Sequence, residues 1–301
     1  MLVFPFLGRS KGTGNEATKK QEKAKEECSC ETLSVIVPAF NEEANISGAL
    51  KSARSPKDAE RAAEIIVVDG GSTDKTREIA KSMGARVIEA PKGRSAQMNA
   101  GAQVAKGDVL LFLHSDCVLP PGYQSLILDA MCPSDTGSPS PPPEATLPQT
   151  KAGMARSRPP SPPGWGAFTK IALDGPGAGL RMVEKGVEMR TRWKHLPYGD
   201  QGIFVHRRLF EEVGGYRDMP LMEDYQLVRD LKKLSQPTLI DATITASARR
   251  WEKKGVLQTT LTNQFIIMAY KLGVPPSRLA VWYRGEGGYF WQLWKEDKGS
   301  K

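Results

Sequence analysis

The chain has 301 residues, 40% of them hydrophobic and 25% charged, with a formal net charge of +8. Such a composition suits one large α/β domain or two small ones, and no arginine-rich or aromatic-interleaved run points to nucleic acid. A moderate basic excess fits a protein that handles phosphate-bearing substrates or lies on an anionic membrane. The cysteines at 28, 30, 117 and 132 show neither zinc spacing nor a dense disulfide framework, which makes a reducing compartment the default. The apolar start, residues 1–7, is short and lacks a preceding basic region, against a signal peptide. No run approaches the roughly 18 apolar residues of a spanning helix. The expected location is cytoplasmic, with contact to a membrane at most peripheral.

Residues 8–31 mix Lys, Glu, Gly, Thr and Ser without apolar periodicity, so residues 1–31 read as a disordered tail. Order begins at a β-branched strand, 33–38, closed by Pro38 and followed by Asn41 and Glu42, then a helix to about Ala53. A second strand, 63–69, ends on Asp69 and leads through Gly70–Asp74 into a helix over 75–83. A short third strand, 85–88, is followed by Lys92 and Arg94 and a helix over about 96–105. The uninterrupted apolar run Val109–Leu113 reads as a strand buried on both faces, in the middle of a parallel sheet. Four strand–loop–helix units in about 100 residues make a doubly wound sheet, mixed but mainly parallel and flanked by helices. Polar residues gather after every strand, so all four sets should lie along one sheet edge, where ligands of such sheets bind.

From Cys132 the character changes. Ten of the 22 prolines fall between Pro133 and Pro163, and residues 132–164 read as a Pro-rich, disordered insertion. Order resumes with a strand at 165–168, a helix over 179–193, and a loop, Tyr198–Gly202, feeding a strand. A helix begins near Glu223 and Asp224, a strand spans 243–248, and helices follow over 256–272 and after Pro275-Pro276. Residues 286–301 read as a second tail, which leaves 32–285 as the folded domain.

Two places carry chemistry. His114 and Asp116, just beyond the buried strand, are candidate ligands for a divalent metal, the alternative being a polar loop capping the helix that Pro120-Pro121 would start. Asp224 shares a stripe with Val228 and Leu231, so this carboxylate faces inward, with Glu223 on the less inward neighbouring position. The alternative for both acids is a favourable interaction with the helix dipole.

Together the segments Val35–Glu42, Ile66–Asp74, Gly93–Gly101, His114–Asp116 and Met222–Asp224 resemble the inverting family 2 glycosyltransferases of GT-A fold. The likeness is closest to a compact, soluble subgroup that also carries patterns like Tyr198–Gln201, Val213–Gly215 and Ser247–Trp251. It covers about Leu33 to Arg284 apart from the insertion. The resemblance implies a nucleotide-diphosphate sugar donor and a hydroxyl acceptor. Pro38, Phe40, Glu42 and Asp69 would line the nucleotide pocket, and Asp200 would belong to the substrate pocket. Lys92 and Arg94 would hold the diphosphate before a helix N-terminus. Asp116, with His114, would bind Mg²⁺ or Mn²⁺. Asp224 would be the general base, and Arg250 and Trp251 would help hold diphosphate and acceptor. The family commonly has Asp-x-Asp where His114 stands, a change that tolerates Mn²⁺ better than Mg²⁺. It often has a second acid where Gly70 stands, which bears on the contact to the base.

Two rivals stand beside this reading. A nucleotidyltransferase would need a glycine- and basic-rich signature after the first strand, which Pro38–Glu42 is not. A catalytically lapsed nucleotide-binding or scaffold protein would explain His114 and the Pro-rich insertion, but not the retention of Asp116, Asp224 and Arg250 together. Residues 249–284 carry seven Lys or Arg against Glu252 alone, and the apolar run Phe265–Tyr270 within them fits either an interfacial helix or a core-packed helix with a basic rim.

Overall fold

The computed structural model describes residues 32–54, 63–131 and 164–284. The two expected tails, and the expected insertion except Gly164, lie outside these residues.

One eight-stranded sheet organises the chain, in the order β3-β2-β1-β4-β7-β6-β8-β5. Its parallel half is β1 (Leu33–Ala39), β2 (Glu64–Asp69), β3 (Arg86–Glu89) and β4 (Val109–Phe112), joined by helices α1 (Ile46–Ala53), α2 (Thr76–Ser82) and α3 (Arg94–Val104). Apolar residues stand at every position of β1 except Ser34, as both faces of this strand are covered. Val35, Val37, Val67 and Leu111 point into one core with α1 and α2, whereas Ile36, Ile66, Val68 and Leu110 point into a second core with α3. The period-two alternation of strand side chains thus splits one run between two layers.

The second half reverses direction. After β5 (Cys117–Val118) and α4 (Tyr123–Met131), strand β6 (Trp165–Leu173) is followed by α5 (Ala178–Lys194) and a 3₁₀ turn, Gly199–Gln201. Strand β7 (Ile203–His206) then inserts antiparallel to both β4 and β6. Helices α6 (Arg207–Glu212) and α7 (Glu223–Leu234) cover one face, and β8 (Thr238–Ala246) runs parallel to β6. The chain closes with α8 (Arg249–Lys254), α9 (Val256–Lys271) and α10 (Pro276–Arg284).

The expected doubly wound, mixed sheet is present. Strands β6 and β8 are longer than their sequence pattern suggested, and the reason is visible. Lys170 of β6, Asp241 of β8 and Arg192 of α5 form ion pairs of 2.7 and 2.9 Å on an exposed face, so charged residues interrupt the apolar pattern without ending the strands. Helix α6 was not anticipated from the sequence. The run Phe265–Tyr270 is divided between the two alternatives considered above, with Met268 exposed. Ile266 and Ala269 are buried with Leu279 in a small third core, and Phe265 packs on Trp282 at 5.8 Å.

Candidate active site

Every element that ends on the carboxyl edge of β1, β4 and β8 delivers a residue to one open cleft of about 850 Å³. Pro38 and Phe40 come from the end of β1, His114, Ser115 and Asp116 from the turn after β4, and Ser247 from the end of β8. Antiparallel pairing of β4 with β7 brings the turn before β7, Gly199 and Asp200, against His114. Pairing of Cys117 with Ala246 ties the Asp116 turn to the strand that leads into α8, and Ser247 N–H donates to Asp116 C=O at 3.2 Å.

The floor of the cleft holds two acid–base pairs. Asp224, in the first turn of α7, lies 3.5 Å from His114 Nε2, and Glu223 lies 3.3 Å from Arg94 Nη1. The sequence-based expectation for the neighbouring acid needs correction. Glu223 has a side chain 6% exposed against 13% for Asp224, because Met222, at φ 71°, turns the chain so that both acids enter the molecule. A non-glycine residue in that region is strained, and the strain sits one residue before the acids. Burial pushes the Asp224 carboxyl up, but the hydrogen bond and charge of His114 and the charge of Arg94 outweigh it and hold it below its ordinary value. Burial opposes charge on His114, yet Asp224 holds its pKa above the ordinary imidazole value. Glu223 goes the other way, raised by burial and by the Asp224 charge.

Gly199 explains how the pair is enclosed. A Cβ there would lie 2.1 Å from Asp224 Oδ2 and 2.7 Å from His114 Nε2. Any side chain would displace one of them, so backbone alone can cover the pair. Asp200, the next residue, is raised by burial, and its Oδ1 has no hydrogen-bond partner among the described residues.

On the opposite wall Arg249 Nη2 bridges Glu42 Oε1 at 2.6 Å and Asp116 Oδ2 at 3.3 Å. Arg250, expected here, lines the cleft with its guanidinium 3.6 Å over the Tyr283 ring and donates to the Tyr283 hydroxyl. Trp251 lines the cleft and packs against the first core, its Nε1 buried without a partner. Arg249 and Tyr283 were given no role from the sequence. The doubled arginine at 249–250 was visible, but which of the two would meet the acids depends on where α8 begins.

Two expected residues stand back from the cleft. Asp69 is fully buried, its Oδ2 accepting N–H bonds from Gly71 at 3.0 Å and Ser72 at 2.9 Å, and it is not among the cleft-lining residues. Its carboxylate closes the turn after β2, although Oδ1 is left without a partner. Lys92 also lies outside the lining, its ammonium 3.8 Å over the Phe40 ring. Gly70, where a second acid was considered, backs onto the Gln97 side chain, which donates to Ala39 and Val68 carbonyls at 2.8 Å. A Cβ at Gly70 would lie 3.1 Å from that amide, so a larger residue would disturb the tie between β1 and β2.

For a divalent cation the relevant cluster is His114, Asp116 and Cys117, whose ligand atoms lie within 4.8 Å of one another. Burial pushes the Cys117 thiol well above its ordinary pKa, and a hard cation prefers the imidazole and carboxylate to sulfur. An imidazole and a carboxylate remain, and since His114 Nε2 faces Asp224 Oδ2 at 3.5 Å, a cation here would share this ring with the Asp224 pair. That mixed N/O chemistry suits Mn²⁺ better than Mg²⁺.

The mixed α/β sheet, with its acids and arginines at the carboxyl edge, is GT-A-like. Residues 34–168 match the model for glycosyl transferase family 2. The chain is 34% identical over 92 residues to glycosyltransferase AglE of Haloferax volcanii, covering 28% of this chain and 30% of that protein. It is 37% identical over 98 residues to glucosyl-3-phosphoglycerate synthase of Mycobacterium tuberculosis, covering 30% of each. The match thus spans about a third of the length of these relatives. In fold the chain is similar to S. aureus TarS 1-349, alone and in complex with UDP, at a TM-score of 0.50 and 15% identity over 86% of this chain and 72% of that one.

Proposed function

We infer that the protein transfers a sugar from a nucleotide-diphosphate sugar to an acceptor hydroxyl, inverting the anomeric carbon. The observation that carries this reading is Asp224. It lines an open cleft yet is held ionised by His114 and Arg94, which is what a base must be at neutral pH. The match of residues 34–168 to the family 2 model and the UDP complex of the structurally similar TarS fragment support a nucleoside diphosphate as the donor's leaving group.

The acceptor hydroxyl approaches Asp224, which takes its proton as the acceptor oxygen bonds to the anomeric carbon. The bond from that carbon to the diphosphate oxygen breaks on the opposite side, so one displacement gives inversion. The nucleoside diphosphate leaves with the bonding electrons, and Arg94, Arg249 and Arg250 around the cleft stabilise its charge. Pro38, Phe40 and Glu42 form the nucleotide side, and Asp200 and Trp251 the substrate side. Asp116 with His114 would hold Mn²⁺ or Mg²⁺, which when bound neutralises diphosphate charge. Asp69 and Lys92 support this pocket from behind, through the turn after β2 and the Phe40 ring.

A panel of nucleotide-sugars screened by thermal shift with Mn²⁺ should give one donor that raises Tm, since binding to the folded state stabilises it. With that donor, Asp224→Asn should lower the transfer rate by roughly 10²–10⁴-fold while donor affinity changes little. Full activity of Asp224→Asn would remove this mechanism, and Asp116→Ala with undiminished Mn²⁺-dependent donor binding would remove the metal assignment.

A further inference from the structure

We propose that helix α9 docks the protein on an anionic lipid surface. Four large apolar residues are exposed on α9 and its C-terminal cap, Leu257 at 73%, Leu261 at 60%, Met268 at 55% and the capping Leu272 at 79%. At 100° per residue they fall within an arc of roughly 60° and form a row roughly 22 Å long. Single exposed apolar residues are ordinary, whereas several aligned along one side mark an interaction face, here broken only by the exposed Gln264 between Leu261 and Met268. The opposite side of α9 is occupied: Ile266 and Ala269 pack on α10, and Asn263 and Ile267 line the cleft. The helix is thus held rigidly from behind with the row facing outward.

Charge selects the partner. From Lys253 to Arg284 the chain carries five Lys or Arg and no Asp or Glu. Lys253 and Lys254 stand just before the helix and Lys271 ends it, all three exposed. An apolar row flanked at both ends by lysines, with no acid to repel lipid phosphates, matches an interfacial helix on an anionic bilayer. A second copy of the chain would bring the same lysines against themselves.

The apolar row does not enter the cleft, whereas Lys253 and Lys254 stand at its lining, so the substitutions that test the proposal are confined to the row. Full-length protein should co-sediment with vesicles of phosphatidylcholine containing one-third phosphatidylserine, and far less with phosphatidylcholine alone. Binding should weaken from low to physiological salt, as expected for lysine–lipid attraction. Combining Leu257→Gln, Leu261→Gln, Met268→Gln and Leu272→Gln should weaken binding at least about tenfold. Should that variant melt well below the parent, Leu257→Gln with Leu272→Gln, the two most exposed positions, gives the same comparison. No vesicle binding by the parent at low salt would overturn the proposal, as would equal binding by the variants. Self-association of the parent that the variants abolish, without vesicle binding, would assign the row to a second copy instead.

Discussion

Asp224 and His114 are bound to each other's charge, and this fixes how the pH dependence should look. Asp224 has a folded pKa below its unfolded one, so its share of stability is present above the unfolded value and lost as pH falls through the folded one. His114 has a raised pKa, so its share is present below the unfolded imidazole value and lost as pH rises through the folded one. A base must be unprotonated, so if Asp224 is the base, kcat/KM should show no acid limb from it between neutrality and about pH 5. A limb at or above about pH 6.5 in the pH–rate profile would instead give the proton-accepting role to His114. Glu223, deeper and raised, is joined to Arg94 and acts by holding that arginine toward the cleft.

Elements meet the sheet at distances set by their smallest residues, and two helical glycines should respond with opposite signs. In α3, a Cβ on Gly101 would lie 2.4 Å from Ile36 Cγ2 and 3.0 Å from Val68 Cγ2, both residues fully buried. Gly101→Ala should therefore destabilise by about 1–3 kcal/mol despite the better helix propensity of alanine. In α5, nothing lies within 4 Å of a Cβ on Gly186. There the same change should stabilise by roughly 0.4–1 kcal/mol, since only unfolded-state freedom is lost. Urea melts of both variants check the pair, and equal signs would mean that α3 does not sit this close to β1. The approach of α3 matters for function because its first residue is Arg94.

At the scale of the molecule, the chain leaves α4 at Met131 and returns at Gly164 in the same place. A Cβ on Gly164 would lie 3.6 Å from Met131 Sδ, and Gly164 C=O accepts from His206 N–H at 2.9 Å. The two ends of the Pro-rich segment are therefore neighbours, and a short connection can join them. We predict that replacing residues 133–163 with about eight Gly/Ser residues leaves transfer activity unchanged, and that two halvings of loop length stabilise by roughly 1 kcal/mol. Thermal melts and turnover check this, and a collapse of either would mean that the segment packs on the domain. The same scale explains the cleft. Strand β7 lies between β4 and β6 and is antiparallel to both, and this brings the Gly199 turn against His114.

The sequence by itself determined the parallel half of the sheet, because uninterrupted β-branched runs followed by polar loops have few other solutions. It also placed Glu42, Asp116 and Asp224 at one edge, where they line one cleft, while Asp200 and Arg250 were expected there only through the family resemblance. Only the tertiary structure decided which charges pair. Spacing along the chain cannot show that Arg249, 207 residues from Glu42, closes on it at 2.6 Å. Nor can it show that the Asp69 carboxylate turns back to its own loop, or that Glu223 lies deeper than Asp224. Those outcomes depend on the backbone angle at Met222, on a bare glycine at 199, and on the antiparallel insertion of β7. Periodicity reports which face of an element is buried, whereas partner choice depends on how the elements cross.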